Sequence, residues 1–206
     1  MPPEIDHVFV CTSAGAPAAD RLSGFGLKEG APNIHPGQGT ACRRFFFRNS
    51  MLELLWMTSA AEAQSEQTGR TRLFERLSGG AGVCPFGIIL RRAPQGDAAP
   101  PFPSWLYQPV TMPGLSLHIA AATSLTEPMW CYLAAGRSPS EGSIGMTGLR
   151  VCGPSPPPQS VTMSMARAGI LRWVEEDAYR IEIELDQGQQ GRLLDLRPDL
   201  PLTIAA

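Results

Sequence analysis

The sequence predicts an α+β protein, built mostly of strands, in which a β-α-β-β-β order of elements occurs twice. Three observations lead to this class. The side chains of residues 5–11 alternate between two faces, which is the period of a strand. Residues 42–48 and 51–57 are aromatic and aliphatic runs separated by Asn49 and Ser50, a pattern typical of an antiparallel hairpin. The last third of the chain repeats this order of elements without sequence identity.

The first module spans residues 1–58, and a short helix and a loop complete it. Residues 14–22 predict the helix, because small residues and good helix formers lie there between an early proline and two later glycines. Residues 25–29 return as a strand. Residues 30–40 are dense in glycine and proline, so they predict a loop.

A helical connection over residues 59–83 joins this module to the rest of the chain. An amphipathic helix is expected from Ala60 to Leu77, ending at the Ser78-Gly79-Gly80 stretch. Residues 84–206 form a second, extended half with long Pro-rich loops and a further β-α-β-β-β pattern at 146–206. The elements expected in that half are strands at 86–92, 115–121, 129–134 and 148–152, a helix at 159–168, and strands at 170–175, 180–185 and 192–196.

Composition excludes several partners. Lys and Arg number 17 against 19 Asp and Glu, a net charge of -2, so neither a nucleic acid nor an anionic membrane surface is an expected partner. The sequence begins without a basic and apolar leader, and no apolar run reaches the roughly 20 residues of a membrane helix, which predicts a cytoplasmic protein. The 5 cysteines are widely spaced and are expected to be reduced thiols.

Three stretches together resemble the glyoxalase-like branch of the vicinal-oxygen-chelate superfamily. They are Ile5-Asp6-His7-Val8, the 35–40 loop leading into Arg43-Arg44-Phe45-Phe46-Phe47, and Leu52-Glu53-Leu54-Leu55-Trp56. The resemblance implies paired βαβββ modules that form curved mixed sheets around a cup, often in a homodimer. It also implies a small-molecule ligand or substrate. It does not fix the reaction, since this scaffold supports lyases, isomerases, dioxygenases and plain binding proteins.

The resemblance gives His7 and Glu53 the places of metal ligands, for Mn, Ni, Zn or Fe. Where the family often has a second-module histidine, this chain has Gly87, which leaves His118 as the further candidate ligand. Glu53 or His35 would then relay a proton. Alternatively, His7 is a half-buried core histidine and Glu53 forms an ion pair with an arginine. The carboxylates that could complete a metal site are Glu182 and Glu184.

Ligand-binding candidates lie in the glycine-rich loop, on the following strand and among the aromatic residues. Gln38 and Thr40 lie beside glycines whose backbone N–H groups a ligand could approach, although an ordered turn explains this loop equally well. Arg43 and Arg44 are expected on opposite faces of one strand, and alternation favours Arg44 as the inward one. An apolar pocket could be lined by aromatic side chains, which are also common core residues; the candidates are Phe46, Trp56, Trp105, Tyr107 and Trp130.

Two functions from different classes remain open at this point, beside a third possibility that the cup has no ligand and the domain serves an assembly. The first is a metal-assisted lyase, isomerase or dioxygenase of the vicinal-oxygen-chelate type. The second is a metal-free protein that binds or sequesters a small molecule in the cup. The absence of second-module ligands favours the second, whereas the polar 35–40 loop argues against a purely apolar site.

Overall fold

A computed structural model describes residues 1–109, 111–135, 141–186 and 191–206. The protein is of the mixed α+β class, with most elements in two mixed sheets and few helices. The elements in chain order are β1 (Glu4–Cys11), α1 (Ala19–Phe25), β2 (Lys28–Glu29), β3 (Asn33–His35), β4 (Thr40–Phe46), β5 (Met51–Met57), α2 (Ala60–Ala63), α3 (Leu73–Ser78), β6 (Phe86–Arg91), β7 (Ser104–Tyr107), β8 (Leu117–Ala120), β9 (Met129–Leu133), β10 (Met146–Gly153), α4 (Val161–Arg167), β11 (Arg172–Glu175), β12 (Arg180–Leu185), β13 (Leu193–Asp195) and β14 (Leu202–Ala205).

The first sheet has the strand order β2-β4-β5-β1-β6-β9-β8-β7, with β3 paired to β4. Strand β1 runs parallel to β5 and antiparallel to β6. Strand β6 in turn runs parallel to β9, which is antiparallel to β8. Each half of this sheet therefore starts with a strand at the centre, and its last strand in sequence returns to lie parallel beside that central strand.

The second sheet, β11-β10-β12-β14-β13, repeats the pairing of five strands of the first. In chain order, these strands are β1, β5, β6, β8 and β9 in the first sheet and β10 to β14 in the second. In both sets the first strand runs parallel to the second and antiparallel to the third. The fifth strand runs parallel to the third and antiparallel to the fourth. The sequence-based expectation was a single β-α-β-β-β module over 146–206. The observed pairing is instead that of both halves of the first sheet in a shortened form.

One apolar core joins the two sheets. The face of the first sheet that carries Val8, Leu54 and Trp130 packs with helix α1, helix α4 and the second-sheet residues Val151 and Ile183. The Trp130 indole N–H donates to Thr162 Oγ1 of α4 at 3.0 Å, which satisfies a polar group in a fully buried setting. The opposite face of the first sheet carries a second, smaller apolar cluster, and the candidate site lies there.

The predicted elements are largely present, with five departures. Helix α1 begins after Pro17 instead of at residue 14, and ends at Gly26, whose φ of 104° is the left-handed conformation suited to glycine. The helix expected from Ala60 to Leu77 is broken into α2, a 3₁₀ turn over Gly69–Thr71 and α3. The break follows from Thr68, whose hydroxyl donates to the Gly37 carbonyl, and from the left-handed backbone of Arg72.

The other three departures are short strands inside sequence that lacks a strand period. Strands β3 and β7 lie in the loops rich in glycine and proline, and β14 follows Pro201 near the end of the chain. These strands form through tertiary pairing, since 3 or 4 residues give too little pattern to recognise. In the described residues no helix combines the length and the apolar character needed to cross a bilayer.

Candidate functional site

A pocket of about 180 Å³ lies on the face of the first sheet that is turned away from the main core. A cavity of ~150 Å³ is large enough for a benzene ring, so this pocket suits a ligand of slightly larger size. Both halves of the sheet contribute to it, together with α3 and the loop before β8. Its lining residues are His7, Phe9, Asn33, His35, Gln38, Glu53, Leu55, Thr71, Leu73, Ile89, Tyr107, Met112, Leu115, Leu117, Ile119, Met129, Cys131 and Leu133.

A β-bulge at Asp6 shapes the polar end of the pocket. The pairing of β1 with β6 passes from Ile5 to His7, so Asp6 is the extra residue on β1. The bulge reverses the alternation on one side: Ile5 packs with the main core, whereas His7 and Phe9 face the pocket. The sequence-based interpretation, with Ile5 on the face of His7, is therefore wrong at this one position.

The bulge also places a carboxylate against the imidazole. Asp6 Oδ1 lies 2.7 Å from His7 Nδ1, and His7 Nε2 lies 4.0 Å from Glu53 Oε2. An ionised carboxylate only accepts hydrogen bonds, so Nδ1 carries the proton and Nε2 is the ring nitrogen directed at Glu53. The strand register also brings Glu53 close to His7, since Glu53 on β5 is paired with Phe9 on β1, two residues after His7.

Opposing effects set the pKa of His7. Burial lowers it, but the carboxylates of Glu53 and Asp6 together outweigh the burial, so the pKa lies above its ordinary value. Burial and the Glu53 carboxylate also raise the pKa of the neighbouring Cys42 thiol, which stays protonated. The polar end of the pocket is thus a buried proton-holding chain of Asp6, His7 and Glu53.

Glu53 has no arginine partner among the described residues. Its side chain is 12% exposed, and the cationic group within 4.0 Å of it is His7. Arg44 lies opposite Glu53 in the β4–β5 register, but its guanidinium donates to the Ala31 carbonyl. Arg43 faces the other side of β4, where it pairs with Glu29 at 2.6 Å and with Asp20 at 2.9 Å. The alternative of an arginine–Glu53 ion pair is therefore not realised.

His35 lines the pocket, but both of its ring nitrogens are engaged within the protein. The Asn33 amide lies 2.8 Å from Nε2 and donates to it, so Nδ1 carries the proton and donates to Thr40 Oγ1 at 2.8 Å. Gln38 donates to the same hydroxyl at 2.9 Å. Burial lowers the pKa of His35, with Glu53 opposing, which keeps the ring neutral and suits this pattern.

The glycine-rich loop is held by the chain itself. The backbone N–H groups of Gly37 and Gly39 both donate to Glu62 Oε2, at 2.7 and 3.1 Å. A side chain at Gly39 would lie 2.2 Å from the Ser59 carbonyl, so the close approach of loop and α2 requires glycine. These N–H groups are therefore not available to a ligand, contrary to one of the two interpretations of the loop.

Apolar side chains form the second half of the pocket. Phe9 lies over Gly87, where an added Cβ would stand 2.0 Å from the phenyl ring. The phenyl ring thus fills the space that a side chain at residue 87 would need. Ile89, Met129 and Cys131 continue this wall. Burial raises the pKa of Cys131 to about 12, so its thiol is a neutral wall group.

The donor set does not fit a metal ion of the kind that the family resemblance implies. His118 lies on the opposite face of the sheet, with its ring 6.4 Å from Tyr132 of the main core, because the period of β8 turns Leu117 and Ile119 to the pocket. Glu182 and Glu184 are on the second sheet, paired with Arg150. In residues 1–109, 111–135, 141–186 and 191–206, no group of three or more His, Cys, Asp or Glu could hold a metal.

The predicted aromatic ligand contacts divide between the two faces. Trp56 and Trp130 belong to the main core, on the face opposite the pocket, which corrects their assignment to the site. Phe46 lies on the pocket face but beyond the cavity, under the Arg44 guanidinium. Trp105 packs beside Tyr107 with a centroid distance of 6.1 Å and borders the pocket-side cluster.

Sequence reasoning missed most of the pocket wall. Asp6, Asn33, Phe9 and Leu55 were not candidates, although Leu55 follows Glu53 by two residues and strand period places both on one face. That period could have identified Leu55 and Phe9. The role of Asp6 depends on the bulge, which leaves no mark in the local sequence.

Fold and site together define a two-sheet α+β protein with a largely apolar, ligand-sized pocket that ends in an acid–imidazole–acid chain. No protein-family model matches the sequence, and no curated protein sequence matches it. Among solved structures, the crystal structure of a hypothetical protein from Staphylococcus aureus is similar, with a TM-score of 0.58 and 12% sequence identity over 98% of this chain and 99% of that chain. At this identity the similarity concerns the fold alone.

Proposed function

We propose that this chain is a metal-independent member of the vicinal-oxygen-chelate superfamily that binds a small, mostly apolar molecule with one hydrogen-bonding group. The strand order of the first sheet supports the superfamily, since each half starts at the sheet centre and returns to a parallel neighbour. The positions of His7 and Glu53 on one half agree with it. The other half has Gly87, Met129 and Cys131 on its pocket side and no histidine or carboxylate among them, which supports metal independence.

A single observation carries the proposed binding function. The chain of Asp6, His7 and Glu53 lies at one end of a cavity whose remaining wall is mainly aliphatic and aromatic. Binding sites for small molecules combine such apolar walls with a few convergent polar groups. The buried Glu53 carboxylate and His7 Nε2 are 4.0 Å apart, too far for a direct hydrogen bond, so a ligand donor at Glu53 would offset part of the cost of burying the charge.

Ligand-induced stabilisation in excess chelator tests the proposal. A library of compounds with about six to twelve non-hydrogen atoms is screened by thermal unfolding. A compound at ~100 times its Kd should raise the Tm by about 5–10 °C in a chain of this length. The variant L117W, which fills the pocket, should lose the shift. The variant L106W, at an exposed neighbouring position on the other face, should keep it. A screen without any hit that L117W abolishes would contradict the proposal.

Elemental analysis of protein purified without chelator tests the metal-independent part. We expect less than stoichiometric Mn, Fe, Ni and Zn, and unchanged ligand-induced shifts after chelation. One divalent ion per chain that is lost in both H7Q and E53Q, together with loss of ligand binding on chelation, would contradict this part and favour a metal-assisted enzyme.

Proton transfer is a second candidate function, and the separation of His7 and Glu53 favours it. Two titratable groups at 4.0 Å can exchange a proton with a ligand between them, Glu53 as the base and His7 as the acid. Each compound that binds is incubated in D₂O, and deuterium incorporation at carbon is followed by NMR. Enzyme-dependent exchange that E53Q abolishes would establish this function; exchange equal in both proteins would exclude a role for Glu53.

A further inference from the structure

The gap between His7 and Glu53 has the dimensions of one bridging oxygen atom. His7 Nε2 and Glu53 Oε2 are 4.0 Å apart, and both residues line the pocket. An oxygen about 2.8 Å from each atom lies beside the line that joins them, within hydrogen-bond distance of both. The two protein groups are too far apart to bond each other directly, so the gap accommodates a third group.

The chemistry at the two sides of the gap is opposite. Glu53 Oε2 accepts a hydrogen bond, whereas His7 Nε2–H donates one when the ring is protonated, because Asp6 holds Nδ1–H. A hydroxyl is a donor and an acceptor at a single atom, so it satisfies both sides together. An ether oxygen cannot donate to Glu53, and a carboxylate would be repelled by Glu53 and Asp6.

The remaining surface of the pocket defines the rest of the ligand. Phe9, Leu55, Ile89 and Ile119 surround the space next to the gap with apolar surface. The nearby polar groups of His35 are already paired with Asn33 and Thr40. A cavity of about 180 Å³ holds a single ring with a short substituent.

We infer, on the basis of the proposed binding function, that the ligand is a neutral phenol or cyclic alcohol whose hydroxyl group bridges His7 Nε2 and Glu53 Oε2. The ligand hydroxyl then donates to Glu53 and accepts from His7, and the ring lies against Phe9. The assignment concerns one functional group at one position, so a matched series of compounds can test it.

The test measures Kd by calorimetry for four compounds built on one ethylbenzene framework: 4-ethylphenol, 4-ethylanisole, ethylbenzene and 4-ethylbenzoate. Hydrogen bonds to charged groups are among the stronger ones in proteins, so the phenol should bind about tenfold or more tightly than ethylbenzene and the methyl ether. The benzoate should bind most weakly. The experiment uses the full chain in chelator, near pH 6.

Two variants assign the preference to the gap. E53Q keeps size and burial but removes the charged acceptor, and H7Q removes the imidazole. Each should reduce the phenol-to-ethylbenzene ratio of affinities by about tenfold. E175Q, an exposed carboxylate on the second sheet, is the matched control and should leave the ratio unchanged. Cooperative urea unfolding of E53Q and H7Q shows that both variants are folded.

The outcomes separate this inference from the proposed function. Equal binding of all three neutral compounds, or tightest binding of the benzoate, would overturn the hydroxyl assignment and leave small-molecule binding intact. A phenol preference that persists in both E53Q and H7Q would overturn the bridging position. Failure of all four compounds together with the absence of any hit that L117W abolishes would overturn both.

Discussion

At the scale of single residues, one inserted residue determines the chemistry of the site. In a regular strand Asp6 and His7 would point to opposite faces of the sheet. The bulge leaves Asp6 unpaired with β6 and brings its carboxylate to 2.7 Å from the His7 ring. Bulges often occur where a strand must redirect a side chain near a functional site. The orientation of the His7 ring therefore depends on the bulge at Asp6 as well as on the two residue types.

The raised pKa of His7 predicts a pH-dependent contribution to stability. Because its folded-state pKa lies above the ordinary value, its contribution is fully present below that ordinary value and is lost as pH rises through the folded-state pKa. The difference in unfolding free energy between the wild type and H7Q should therefore shrink from pH 6 to pH 9 in urea titrations. H118Q removes an imidazole from the opposite face and is the matched control. A difference that grows with pH would contradict the assignment.

At the scale of elements, the two halves of the first sheet have equivalent pairings but different surfaces. The first half contributes His7 and Glu53 to the pocket, and the second contributes Ile89 and Met129. Helix α1 follows β1, whereas residues 92–103 after β6 form no helix. One half therefore supplies the polar end of the pocket and the other an apolar wall.

The contact between Phe9 and Gly87 predicts a local packing penalty. G87A places a Cβ 2.0 Å from the phenyl ring, so the variant should lose about 1–3 kcal/mol of unfolding free energy by overpacking. In an F9L background the same substitution should cost less, with a coupling of about 0.5–3 kcal/mol in the double-mutant cycle. Urea denaturation measures all four proteins.

G24A is the matched control for this substitution. Its added Cβ in α1 would meet no atom within 4 Å, so we expect a neutral or slightly stabilising effect. Equal stability of G87A and the wild type would show that the ring does not fill the space over residue 87. The metal-independent interpretation of this half would then lose one of its supports.

At the scale of the whole molecule, the two sheets share one apolar core. Val8 and Leu52 of the first sheet belong to the same buried cluster as Ile181 and Leu202 of the second. The second sheet directs a face of ion pairs outward, among them Arg180 with Glu182 at 2.9 Å. It therefore stabilises the back of the first sheet without contributing a described residue to the pocket lining.

A shared core predicts cooperative unfolding of both sheets. In variants that retain a single tryptophan, Trp130 reports on the first sheet and Trp173 on the second, and both should unfold at one urea midpoint. T162V leaves the Trp130 indole N–H buried without its partner and should lower the free energy of unfolding by about 1–3 kcal/mol, so both midpoints should fall together. Separate midpoints for the two reporters would contradict a single cooperative unit.

The strand-rich class and the hairpin of β4 and β5 could be predicted from the sequence, because the strand period of two and the turn at Asn49 act over a few residues. The shared pocket location of His7 and Glu53 was predicted from the family resemblance, since the two strands that carry them are distant in sequence. The opposite faces of Arg43 and Arg44 follow from the same period.

The pairing of the strands and the partner of each polar group are known from the folded chain alone. The bulge at Asp6, the second sheet as a shortened repeat of the first, and the position of His118 on the far face all depend on pairing between residues distant in sequence. Pairing register is set by the packing of whole faces, and a shift of one residue reverses every side chain. Local sequence does not encode such a choice, and for this reason the pocket wall and its acid–imidazole–acid chain became visible only in the folded chain.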